Sequence, residues 1–124
     1  MRDMVVTEPG RVLTELRRGV VEHCVLALIS EGESYAFDIV RVLAARQLVT
    51  SEGTIYPLLA RLRRDGMVST SWRESDAGPP RRYYRITDEG RRALEAFVAD
   101  WTSFRSAVDA LLDGAMAGEA GDGR

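Results

Sequence analysis

Apolar residues recur at three- and four-residue steps through Leu13, Leu16, Val20, Val21, Cys24, Val25, Leu28 and Ile29, the period of one helical face. Glu31-Gly32 should stop this helix, with Gly32 as a left-handed cap. Ser34 is placed to cap a second helix whose buried face is Tyr35, Ile39, Val40 and Leu43. Gln47 to Val49 reads as a connector, and Thr50 or Ser51 then caps a third helix running to about Asp65, stopped by Gly66. Beyond Gly66 the period falls to two. Val68, Thr70 and Trp72 share one side of a strand, and Ser75 to Pro80 is dense in turn formers. Arg81 to Thr87 alternates again, with Tyr83, Arg85 and Thr87 on one face and Arg82, Tyr84 and Ile86 on the other, so the two strands make a hairpin. Thr87 or Asp88 opens a long last helix.

This order, three helices, a hairpin and a helix, predicts a mainly α fold with a small β-hairpin. It reads as a winged helix-turn-helix over residues 11–87 followed by a C-terminal dimerisation helix over 88–113. Residues 1–10 and 114–124 read as flexible termini, the second because it is too rich in glycine to fold. There is no internal repeat.

The length of 124 residues fits one core plus an appended element. The longest apolar run, Cys24 to Ile29, is far too short to span a bilayer, and no apolar region follows Arg2 and Asp3 to form a signal peptide. A single cysteine allows no internal disulfide, so a cytoplasmic protein without membrane contact is expected.

The net charge of −2 speaks against a nucleic-acid partner until its distribution is considered. Residues 61–92 hold nine Arg against five acids, whereas residues 93–124 hold two Arg against six acids. Positive charge is gathered in one central stretch, and clustering matters more than the total for phosphate binding. Every basic residue is Arg, whose planar fork suits bidentate phosphate and guanine contacts.

On the third helix Ile55, Leu58, Leu59 and Leu62 form an apolar stripe opposite Thr54, Pro57, Arg61 and Arg64, with Ser51 and Gly53 at the start. A helix entering a major groove needs a buried anchoring face and small or basic groups on its exposed N-terminal half. An ordinary surface helix with two solvated arginines would look the same. Pro57 lacks an amide and belongs in the first turn, where donors have no intrahelical partner. The hairpin carries Arg73, Arg81, Arg82 and Arg85 around a Gly-Pro-Pro segment, with Tyr83 and Tyr84 between them. Tyr84, Ile86 and Trp72 suit a core. The adjacent pair Arg81-Arg82 does not, because two neighbouring charges are costly to bury together.

The segments Leu26-Ala27-Leu28-Ile29, Tyr35-Ala36-Phe37-Asp38-Ile39, Gly53-Thr54-Ile55-Tyr56-Pro57-Leu58-Leu59, Arg61-Leu62 to Gly66-Met67-Val68, and Arg82-Tyr83-Tyr84-Arg85-Ile86-Thr87 to Gly90 resemble the PadR family of regulators, from about residue 13 to 112. The single last helix resembles its short subfamily. Tyr35-Ala36-Phe37 departs mildly from the family's usual Tyr-Gly-Tyr. The resemblance implies a dimeric cytoplasmic repressor on a palindromic double-stranded DNA operator. It places Thr54 and Tyr56 in the recognition helix and Arg81 and Arg82 on the wing.

The last helix, about 40 Å long at 1.5 Å per residue, exceeds what a small winged domain can cover. Its apolar residues repeat at seven: Leu94, Trp101 and Val108, then Phe97, Phe104 and Leu111, with Val98 and Leu112 two heptads apart. Such a stripe calls for a partner helix, and Leu13, Leu16 and Val20 of the first helix should pack against it. Trp101 is either plain dimer core or, as in drug-sensing members that the chain resembles, the wall of a flat pore for a small planar aromatic effector. Those members carry an acid one turn later, where this chain has Arg105, which favours a neutral or anionic ligand. His23 is expected across the interface. One His and one Cys supply no zinc site, and no nucleophile-base set stands out, so neither metal, cofactor nor catalysis is expected. A dimeric binding module that kept the winged fold without DNA is the competing reading. The Arg-rich centre speaks against it.

Overall fold

The computed structural model describes residues 10–49 and 51–122, with side-chain surroundings through Gly118. The expected arm over residues 1–9 and the alternative cap Thr50 lie outside the described residues. Helix α1 spans Arg11–Ile29. Its C-terminal half buries Val25, Leu26 and Ile29, while Val12, Leu13 and Leu16 in the first half stay exposed. It ends where expected: the Ser30 hydroxyl and amide both donate to Ala27 O, and Gly32 follows with a positive φ of 157° that favours glycine.

Strand β1, Ser34–Tyr35, comes next, then helix α2, Ala36–Ala45, which buries Ala36, Ile39, Val40 and Leu43. The sequence places Ser34 and Tyr35 at the start of the helix. Instead they pair antiparallel with Tyr84 and Tyr83 of the wing, so the sheet has three strands rather than two. A 3-10 turn, Glu52–Thr54, leads into helix α3, Ile55–Arg64, whose buried residues are the predicted Ile55, Leu58, Leu59 and Leu62. Pro57 sits in its first turn, where the missing amide costs no helical bond. Gly66, with φ of 79°, closes α3: Met67 N donates to Leu62 O and Gly66 N to Arg63 O, the paired bonds of a Schellman cap.

Strands β2, Val68–Ser75, and β3, Gly78–Ile86, are antiparallel, in the order β1-β3-β2. The connection is tighter than the turn-rich segment implies, closing at Asp76-Ala77. Pro79 and Pro80 lie within β3, a position proline tolerates because β1 pairs only with Tyr83 and Tyr84 and leaves that edge open. Val68, Tyr84 and Ile86 turn into the core against α1, α2 and α3.

Thr87 caps helix α4, Asp88–Asp122. Its hydroxyl accepts from Gly90 N at 3.0 Å and donates to Gly66 O at 2.6 Å, tying the helix start to the end of α3. Gly90 is required there because a Cβ would lie 2.2 Å from Met67 O. The helix is 35 residues long, roughly 52 Å. It runs past the expected end at Asp113, so the assignment of 114–124 to a structureless tail is corrected over 114–122. A glycine costs a helix only about 1 kcal/mol relative to alanine, and Ala115, Met116 and Ala117 between Gly114 and Gly118 are good helix formers.

Candidate nucleic-acid interface

The start of α3 and the wing form two walls of a groove of about 330 Å³ lined by Tyr35, Phe37, Tyr56, Trp72, Arg81 and Arg82 among others. Aromatic residues at the mouth of a groove edged by guanidinium groups can meet sugars and base edges while the cations meet phosphates. Tyr56 projects into this groove with 44% of its surface exposed. Burial, and then the neighbouring Glu52, raise its pKa above the ordinary tyrosine value, so the phenol is a neutral hydrogen-bond donor at physiological pH.

The two arginines singled out from the sequence are held in the same manner on opposite faces of the wing. The Arg81 guanidinium lies 4.7 Å from the centre of the Tyr35 ring, and that of Arg82 lies 4.7 Å from the centre of the exposed Trp72 ring. Cation–π stacking orients both without neutralising them. Arg82 is half-buried and its Nε finds no hydrogen-bond partner among the described residues. Trp72 is therefore a platform on the wing and not the core residue its pattern implies; its surface is 62% exposed.

The remaining predicted interface residues divide. Ser51 is exposed in extended backbone, and its carbonyl accepts from the Thr54 hydroxyl at 2.9 Å, which leaves that hydroxyl oxygen as an acceptor only. Thr54, Pro57 and Arg61 line a second cavity, about 290 Å³, between α3 and the Thr14–Val21 stretch of α1, away from the Tyr56 groove. Arg61 pairs with Glu22 at 3.1 Å and Arg64 with Asp65 at 3.4 Å. Tyr35, Phe37 and Trp72 are the groove residues that sequence reasoning missed as a site. Their aromatic character was visible, but their convergence depends on β1 pairing with the wing.

On α4, Leu94 packs against the core and Phe97 is half-buried, whereas Val98, Trp101, Phe104 and Leu111 are exposed. The His23 ring stacks on Phe97 of the same chain at 4.1 Å and 4°. Phe97 in turn lies nearly parallel to Trp101, 6.2 Å away, so the three rings form a ladder ending at a half-open indole. The buried His23 Nδ1 has no partner among the described residues. Arg105 is one turn further on, paired with Asp109 at 3.4 Å. Burial pushes the Cys24 thiol up, which keeps it protonated. Among the described residues no cluster of side chains could hold a metal, and no helix is long and apolar enough to cross a membrane.

Three helices, a three-stranded wing and a long terminal helix define the class as a winged helix-turn-helix with a C-terminal helix. Residues 25–96 match the Transcriptional regulator PadR-like family. The chain is 32% identical over 108 residues to a transcriptional regulator of Mycobacterium tuberculosis, covering 87% of this chain and 94% of that one. A PadR family transcriptional regulator from Eggerthella lenta superposes with a TM-score of 0.74 at 34% identity, over 89% of this chain and 94% of that one. A PadR-like regulator from Bacillus cereus gives 0.70 at 35%, over 79% and 96%. The fold is also that of Bacillus subtilis PadR, solved in complex with operator DNA (TM-score 0.59, 22% identity, 64% of this chain and 45% of that one). The chain belongs to the PadR-like family of transcriptional regulators, a family and fold of regulators rather than enzymes.

Proposed function

We propose that this regulator is a cytoplasmic repressor that binds a palindromic DNA operator as a homodimer. The observation that carries the reading is the groove in which Tyr56 of α3 faces Trp72, Arg81 and Arg82 of the wing. On this reading α3 enters the major groove with Tyr56 from that groove and with Ser51 and Thr54 from the adjoining surface, while the wing arginines take phosphates or a narrow minor groove. Arg61 and Arg64 contribute less than their position in the stripe implies, because each already has a carboxylate partner. Dimerisation is supported by apolar surface left open on α1 at Val12, Leu13 and Leu16, and on α4 at Val98, Phe104, Leu111 and Leu112. A two-fold dimer reads a two-fold operator.

The end of the His23-Phe97-Trp101 ladder favours a planar aromatic effector stacking on the indole. Arg105 beside it favours a neutral or anionic one, and such a ligand would act by altering the distance between the two reading heads. Binding to duplexes from the gene's own upstream region, followed by anisotropy over a salt series, tests the main reading. Saturable binding that weakens steeply with salt is expected, and Arg82→Ala should lower the salt slope by roughly one and weaken all sequences alike. An unchanged slope and affinity in that variant would remove the wing from the interface.

A further inference from the structure

Glu33 immediately precedes β1, and its carboxylate is engaged by two arginines of the wing at once. One oxygen pairs with Arg73 and the other with Arg85 Nη2 at 3.5 Å, while the side chain is only 19% exposed. Arg73 is further fixed by the Tyr83 ring, 4.6 Å beneath its guanidinium. In the strand register Arg73 stands opposite Arg81, on the face away from the core and close to the turn. Four wing arginines therefore fall into two states. Arg81 and Arg82 rest on aromatic rings that leave their charge unopposed, whereas Arg73 and Arg85 share one carboxylate.

Sequence-independent DNA affinity is set by the number of phosphates a protein neutralises. An arginine already facing a carboxylate gives up that partner, or carries a weakened attraction, when it meets a phosphate. We infer that Glu33 limits the sequence-independent affinity of the regulator by withholding Arg73 and Arg85 from DNA phosphates. Such a limit has a use, because non-operator DNA in vast excess sequesters a regulator that holds every phosphate tightly. The inference rests on the proposed DNA-binding role.

The test is anisotropy with a random-sequence duplex between 50 and 200 mM salt, on the full chain and on Glu33→Gln, Arg73→Gln and the double variant. Glu33→Gln should tighten binding about three- to tenfold and steepen the salt slope by roughly one to two. Arg73→Gln alone should change affinity less than about twofold, and added to Glu33→Gln it should reverse much of the gain. If Glu33 only anchors the wing, Glu33→Gln will weaken binding with the slope unchanged or shallower, and the inference is overturned. Arg73→Gln provides an independent check should Glu33→Gln fold poorly: a loss as large as that of Arg82→Ala would show that Arg73 is not withheld. Failure of the unaltered chain to bind any duplex would instead overturn the DNA-binding reading itself.

Discussion

Gln47 and Gly66 occupy the same position in two copies of one motif. Leu48 N donates to Leu43 O and Gln47 N to Ala44 O, as Met67 N and Gly66 N do at the end of α3. Both residues are left-handed, with φ of 62° and 79°. Glycine enters that region freely, whereas a residue with a Cβ is strained there by about 1–2 kcal/mol. The Gln47 carbonyl accepts from Arg17 Nε at 2.9 Å, a bond that needs only backbone. Gln47→Gly should therefore stabilise the fold by about 0.5–1 kcal/mol, the relief of strain being partly offset by the freer unfolded chain. Denaturant unfolding with an unchanged m-value measures it. The same scale explains why the Arg81-Arg82 pair resists a core reading: each guanidinium lies on an aromatic face at the edge of a groove, Tyr35 for one and Trp72 for the other.

Among the elements, α4 leaves much apolar surface open. Phe104 is 61% exposed, one turn beyond Trp101, on a helix too long for one domain to cover. Phe104→Asp should weaken self-association by roughly a hundredfold, as loss of a central aromatic anchor typically does, and leave the far-ultraviolet dichroism unchanged. Sedimentation equilibrium checks it, and a variant as dimeric as the parent would move the interface off this face. Most elements were legible because their periods are local: the stripe of α3 and the alternation of β2 need no distant partner. Strand β1 was not, since two residues have no period and Tyr35 becomes a strand only by pairing with Tyr83. The extent of α4 is not legible, because Gly114 and Gly118 read as breakers while the helix formers between them carry the helix on to Asp122. The site was legible in part. The stripe of Thr54, Pro57 and Arg61 was visible, but Glu22, the carboxylate that engages Arg61, lies 39 residues away and nothing local announces it. Glu33 was invisible for the same reason.

At the scale of the molecule, charge and symmetry work together. The arginine-rich stretch of residues 61–92 supplies the end of α3 and the wing, and the acid-rich stretch that follows is drawn out along α4. In the proposed dimer through α1 and α4, two such heads would be related by a two-fold axis and, on one face of the duplex, would read half-sites about one helical turn apart, roughly 34–36 Å, or a multiple of it. Hydroxyl-radical footprinting of the upstream region of the regulator's own gene tests this most directly. Two symmetric protected half-sites are expected, occupied together at two chains per operator, with protection lost in Arg82→Ala at moderate salt. A single unsymmetric footprint, or none at concentrations where the chain is folded, would contradict it.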